Sequence, residues 1–256
     1  MAEIIEQAVL RAIARMRENL GEPLSLDEMA RAAMYSKFHF SRAFQRATGV
    51  SPGRFLAAIR LEEAKRLLVS TSLTVTEISH RVGYTSVGTF GSRFTSAVGV
   101  SPTSYRECRG YAPALPLDER RGSVKGRGAT VRGEVWHPGP APDGPIFLGL
   151  FRDRIPQGRP VHCAMLPTPG PFVLEGVPQG EWHLLAHSVP REGEEAIQTR
   201  SEGEYAVSIG AHALVTIRPD TIMRIVDVRL RPLRTIDPPV LLALLDVRTR
   251  ALSPTR

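Results

Sequence analysis

The sequence predicts an all-α N-terminal domain followed by an antiparallel β-sandwich. Three observations carry this. Apolar residues recur at helical spacing through the first 107 positions, and a stretch of them repeats 49–50 residues later. A stretch rich in Pro, Gly and charge follows at 110–130. Beyond it come short apolar runs separated by Gly/Pro turns. The expected boundaries are therefore 1–109 for the helical domain, 110–130 for a linker and 131–256 for the β-domain. With 256 residues, 42% of them hydrophobic and 23% charged, the chain is long enough for two ordinary domains and is not wholly disordered.

The first helix is marked by Ile4, Ile5, Ala8, Val9, Ala12, Ile13 and Met16, and Gly21-Glu22-Pro23 ends it. The repeat begins next. Leu24-Ser25-Leu26-Asp27-Glu28-Met29-Ala30 aligns with Leu73-Thr74-Val75-Thr76-Glu77-Ile78-Ser79, 49 residues on, and Tyr35 with Tyr84. Phe40, Phe44 and Gly49-Val50-Ser51-Pro52 align with Phe90, Phe94 and Gly99-Val100-Ser101-Pro102 at an offset of 50, so the second copy has gained one residue.

Each copy reads as a helix-turn-helix. Ser25 with Glu28, and Thr74 with Glu77, are spaced as capping boxes at the start of the first helix. A turn follows at Met34-Tyr35 or Gly83-Tyr84, and Ser36, or Thr85 or Ser86, caps the second helix. There the phenylalanines stand four apart on one buried face, and Gly49 or Gly99 ends the helix. Ser51-Pro52 and Ser101-Pro102 then open new helices. Phe55, Ala58, Ile59, Leu61, Ala64 and Leu68 mark a long connecting helix between the copies.

In the second half, Val226, Val228 and Leu230 alternate with Asp227, Arg229 and Arg231, the period of a half-buried strand. Other strand-like runs are 145–151, 172–174, 182–186, 206–209 and 214–217. His183 and His187 would face the same way on a strand, and His162 adjoins Cys163, but hydrogen-bonded or solvated histidines are the simpler expectation, so no metal site is assigned. Glu192, Glu194 and Glu195 read as a solvated acidic loop. Trp136, Trp182 and Phe172 read as core, with a ligand pocket as the alternative. Nucleophile-elbow, P-loop and dinucleotide-binding patterns are absent, which argues against an enzyme and implies no cofactor.

Charge divides the chain in the same place. Residues 1–109 hold 15 basic and 10 acidic side chains, whereas 131–256 hold 14 of each. The positive surface belongs to the helical half, which suits a polyanionic partner. Two cysteines, Cys108 and Cys163, make no disulfide framework, and the charged N-terminus is unlike a signal peptide. No apolar run is long enough to span a membrane, so a cytoplasmic setting is expected. A helix of a helix-turn-helix fits the major groove, where each base pair shows a distinct pattern of donors and acceptors. Two such units on one chain suit successive grooves about one turn, ~34 Å, apart.

Residues 24–107 resemble the DNA-binding domain of the AraC/XylS transcription regulators. Both helix-turn-helix units, the connecting helix and the closing Tyr105-Arg106 are in order. The resemblance implies binding to double-stranded promoter DNA and activation through RNA polymerase. It makes Phe38, Ser41 and Arg42 base-reading positions, and Gln45 shares their face of the helix. In the second unit Val87, Thr89 and Ser92 are the base-contact candidates; Ser92 stands where Arg42 does in the first. Gly88 weakens that helix by ~1 kcal/mol relative to alanine. Ser36, Lys37, Arg46, Ser86 and Arg93 are expected at phosphates.

The run Leu174–Ala186 (LEGVPQGEWHLLA), with 131–135 upstream, resembles transthyretin-like (carboxypeptidase-regulatory-like) β-sandwich modules, which implies a fold and no catalysis. The expectation is a two-domain regulator whose β-domain senses a small-molecule effector or contacts a partner. The alternative is an architectural DNA-binding protein whose β-domain is purely an interaction module.

Overall fold

A computed structural model describes residues 2–110, 128–139, 144–188, 208–212 and 214–243. Most of the expected linker, the acidic loop at Glu192–Glu195 and the start of the 206–209 run lie outside these residues. The chain divides into two compact units. The first holds everything up to Gly110 together with two short later segments, Arg154–Gly158 and Arg234–Leu242; the second holds the strands.

Seven helices build the first unit: α1 (Ala2–Glu18), α2 (Leu26–Ala33), α3 (Lys37–Thr48), α4 (Pro52–Ser70), α5 (Val75–Arg81), α6 (Val87–Val98) and α7 (Pro102–Glu107). Both expected capping boxes are formed: Ser25 with Glu28 opens α2, and Thr74 with Glu77 opens α5. The other caps are uneven. Ser86 and Ser101 accept from backbone N–H groups of α6 and α7, while Ser36 and Ser51 hold the N-cap position without a side-chain bond. The expected cap by Ser36 is thus one of backbone position only, and its hydroxyl is exposed.

The repeat is visible as packing. Phe44 meets Phe40 and Phe55 at 5.4 Å, edge to face. In the second copy Phe94 meets Phe90 and Tyr105 at 5.6 Å, at 51° and 74°. All six rings are buried. Each helix-turn-helix is therefore closed by one aromatic trio, whose third member comes from the following helix.

The two turns differ. Gly83 has φ +82°, and a Cβ there would lie 2.3 Å from the Leu20 carbonyl oxygen, so only glycine fits. The matching residue in the first copy is Met34, with φ 61° and 81% exposure. A side chain in this left-handed conformation costs roughly 1–2 kcal/mol.

The second unit is a β-sandwich. One sheet runs β4 (Gly170–Val177), β1 (Ala129–Trp136), β8 (Met223–Ile225), with β9 (Val228–Arg229) also on β1. The other runs β10 (Arg231–Pro232), β6 (Ser208–Ala211), β5 (Gly180–Ser188), β2 (Ile146–Phe151), β3 (His162–Leu166), with β7 (Val215–Ile217) also on β5. Val131, Val135, Phe172 and Leu174 from the first sheet and Leu148, Leu150, Leu184 and Ala186 from the second share one core. Trp182 belongs to this core and donates from its indole to the Pro178 carbonyl. Phe172 and Trp182 are therefore packing residues, and Trp136 is a surface one under the Arg229 guanidinium.

Two features depart from the sequence reading. β1 pairs antiparallel with β4 but parallel with β8 and β9. The alternation over 226–231 survives as burial, yet it is not one strand: β9 pairs β1 and β10 pairs β6, so the chain passes from one sheet to the other at Leu230. The inward residues of both sheets feed the same core, so the period of two is kept through the crossover.

Met34→Gly is expected to raise stability by about 0.5–1 kcal/mol, because relief of the left-handed strain exceeds the extra freedom of the unfolded chain. Gly83→Met, the reciprocal exchange, is expected to be strongly destabilising; thermal unfolding of the pair checks both.

The carboxylates of Glu28 and Glu77 lie below the usual carboxylate range, held there first by the backbone N–H and then by the hydroxyl of their capping partners. A depressed carboxylate stabilises the fold above its unfolded pKa and loses that contribution as pH falls through its folded value. The unfolding midpoint should therefore drop below about pH 4.5. Glu28→Gln with Glu77→Gln, which keep the box without the titration, should flatten that part of the acid limb in a pH series of melts.

Candidate nucleic-acid interface

Burying Phe40, Ala43 and Phe44 turns the opposite side of α3 outward. Phe38 is 79% exposed, Arg42, Gln45 and Arg46 are exposed, and Ser41 is half-buried at the edge of the same face. The side chains of Arg42, Gln45 and Arg46 make no hydrogen bond or ion pair among the described residues, so their polar groups are available to a ligand. Lys37 stands at the start of the helix in an exposed ion pair with Asp27 at 3.4 Å. Exposed pairs are worth roughly 0–1 kcal/mol, so this one holds the Lys37 ammonium only weakly. His39 lies flat on Tyr35, rings 4.9 Å apart and 3° from parallel. That stack holds the imidazole to the turn.

α6 repeats the arrangement with smaller side chains. Gly88, Thr89, Ser92 and Arg93 are exposed, and Val87 is half-buried. Outside the helix itself, a Cβ at Gly88 would meet nothing nearer than 3.8 Å, and one at Gly91 would meet nothing within 4 Å. Packing does not require either glycine. Together they leave a flat strip along the outer side of α6, suited to close backbone approach. Thr95 is exposed at the position that matches Gln45, and the offset of 50 that aligned the phenylalanines would have found it.

Beside the N-terminus of α6 is a cleft that the sequence reading did not anticipate. α4 contributes Leu56 and Arg60 to it, and the α5–α6 region contributes Tyr84, Ser86, Thr89 and Arg93. Burial raises the Tyr84 phenol pKa, opposed by the nearby Arg93 and Arg60. The phenol therefore stays neutral and able to donate. Two guanidinium groups and four hydroxyls, Thr85 being the fourth, around a helix N-terminus form a local environment suited to an anion. Ser86 is partly committed there, since its hydroxyl accepts from the Thr89 N–H at 3.4 Å.

The structure thus places Phe38, Arg42 and Gln45 together on one outer face, with Ser41 at its margin. Thr89 and Ser92 share the outer face of α6, and Val87 lies partly inside. Of the phosphate candidates, Ser36 and Lys37 stand at the start of α3, Arg46 lies on its outer side, and Ser86 and Arg93 line the cleft. Among the described residues no group of three or more His, Cys, Asp or Glu is placed to hold a metal, and no helix is long and apolar enough to cross a membrane.

A family model described as a helix-turn-helix domain matches residues 29–107. The uncharacterized HTH-type transcriptional regulator YobQ of Bacillus subtilis is 35% identical over 95 residues, 37% of this chain and 39% of that protein. The HTH-type transcriptional activator AarP of Providencia stuartii is 34% identical over 103 residues, 40% of this chain and 76% of AarP. Among solved structures, an AraC-type transcriptional regulator from Chromobacterium violaceum shares 27% identity over 42% of this chain and 96% of its own, with a TM-score of 0.40. The chain therefore spans about two fifths of YobQ's length but three quarters of AarP's, and in both the matched residues number about a hundred. With two capped helix-turn-helix units built on repeated aromatic trios, and with AarP matched over most of its length, the chain belongs to the AraC-type family of helix-turn-helix DNA-binding transcription regulators.

Proposed function

We propose that the chain reads two successive major grooves of promoter DNA, α3 entering one and α6 the next. The observation that supports this is the repeat itself. Two 12-residue helices, anchored through the same inner positions, both present polar and unpaired groups outward. On α3, Arg42 bonds a guanine edge bidentately, Gln45 bonds a neighbouring base, Phe38 lies against a thymine methyl, and Ser41 adds a lone hydroxyl. On α6, Thr89, Ser92 and Val87 give a shallower readout because the surrounding strip is flat. Ser36, Lys37, Arg46, Ser86 and Arg93 bind phosphates and set register.

The division of labour is unequal. α3 carries Lys37, Arg42 and Arg46, whereas α6 carries Arg93 alone among lysines and arginines. The first unit supplies most of the attraction and the sharper specificity. The β-sandwich, whose half of the sequence is balanced in charge, is assigned effector sensing or partner contact rather than DNA attraction. The name of AarP, a transcriptional activator, supports activation, and RNA polymerase is the partner that the AraC/XylS resemblance implies for it.

Selection of duplexes from a random library by the full chain tests this reading, with a bipartite motif as the expected product. On the selected site, Arg42→Ala should cost about 1–3 kcal/mol and relax specificity at one or two positions of one half. Ser92→Ala should cost less, and Lys37→Ala should weaken all sequences about equally. A larger loss from Ser92→Ala would reverse the assignment of the two units.

Affinity should also fall with salt. If about five phosphates are neutralised, the log–log slope is around −4 to −5. A slope near zero on the selected site would remove the phosphate contacts from the account.

A further inference from the structure

If α3 and α6 read two grooves, something must hold the second helix at a fixed distance and rotation from the first. α4 connects the two units, and its 19 residues span about 28 Å. A helix alone leaves the unit at its far end free to pivot. Arg106 of α7 ties the second unit to the end of α4 through the Leu68 and Leu73 carbonyls, and a further contact reaches back to the first unit.

Midway along α4, the Arg60 guanidinium donates from Nη2 to the Glu22 carbonyl at 2.7 Å. Glu22 lies in the connection between α1 and α2, the lead-in to the first unit. The turn of the second unit packs on the same connection. A Cβ at Gly83 would lie 2.3 Å from the Leu20 oxygen and 2.6 Å from Arg60 Nη2, and one at Gly21 would lie 2.9 Å from the Arg81 oxygen. Glycines on both sides let the two backbones touch, and the guanidinium is wedged between them. At the first unit's own turn Met34 faces solvent, and the guanidinium there is Arg11 of α1, which donates from Nη2 to the Ala33 carbonyl at 3.1 Å and bridges no second helix-turn-helix.

Arg60 is a costly way to hold a fold together. Its Nε is buried without a hydrogen-bond partner among the described residues. A buried unmet donor is unfavourable, and an apolar side chain of similar shape removes that penalty. What an apolar chain cannot do is reach the Glu22 carbonyl with a fixed, planar donor group.

We propose that Arg60 is a positioning residue, which clamps the α5–α6 turn to the α1–α2 connection and thereby fixes the separation and rotational phase of the half-sites that α3 and α6 accept. This rests on the two-groove reading. Moving one half-site by a single base pair rotates it by about a tenth of a turn, which a clamped pair of helices cannot follow.

The experiment uses the full chain on duplexes carrying its two selected half-sites, with the spacer lengthened or shortened by one and two base pairs. Wild type should prefer one spacer over its neighbours by about tenfold or more. Arg60→Met should reduce that preference to about twofold, a ratio between spacers that a uniform loss of affinity from the removed charge leaves unmoved. Arg60→Lys, which keeps the charge and loses the planar fork, should fall between. An Arg60→Met protein that melts cooperatively and keeps the wild-type spacer preference overturns the proposal. If Arg60→Met does not fold, Arg60→Lys carries the same test; failure of both to fold also overturns it, since Arg60 would then hold the fold rather than the pitch. A wild-type selection that returns a single undivided motif defeats the two-groove reading itself, and the proposal with it.

Discussion

The edge-to-face packing of Phe44 with Phe40 and Phe55, and its repetition around Phe94, is the contact on which the DNA-binding unit depends. A helix can present a chosen side to a partner only if its other side is held. Each trio does this with three large rings taken from two successive helices, which sets both the depth and the rotation of the recognition helix. The outward positions then follow by helical geometry. They can change freely in chemistry, as they have between Arg42 and Ser92, without disturbing the anchor.

This separation of inner and outer faces explains why so much of the first unit could be read from the residues alone. Caps, apolar periodicity and terminating glycines are local signals. Ser25, Glu28, Thr74, Glu77, Gly49 and Gly99 act within a few residues of themselves. Local signals also have limits. Ser36 has the right identity and backbone angles for a capping residue, yet its side chain bonds nothing in the helix. The contact of Arg60 with Glu22 joins residues 38 apart and leaves no periodic trace. The exposed face of α6 was only partly legible, because Val87 turns inward and Thr95 is evident only once the two copies are superimposed by number.

The β-unit was legible as a class and less so in its pairing. β3 and β8 were missed for opposite reasons: the first is half-buried along its whole length, and the second is exposed along its whole length, so neither alternates. Parallel pairing of β1 with β8 and β9 depends on where a distant segment returns. The alternation of Val226, Val228 and Leu230 identified the core-facing residues correctly and could not show that their partner strand changes midway.

That change of partner at Leu230 has a mechanical meaning. A chain that leaves β1 and within two residues joins β6 acts as a stitch through both layers, with Leu230 seated in the shared core. Peeling β9 from the first sheet pulls on β10 in the second. The layers cannot part at this end one at a time, so slow amide exchange in β1 and in β6 belongs to the same opening event rather than to two independent ones.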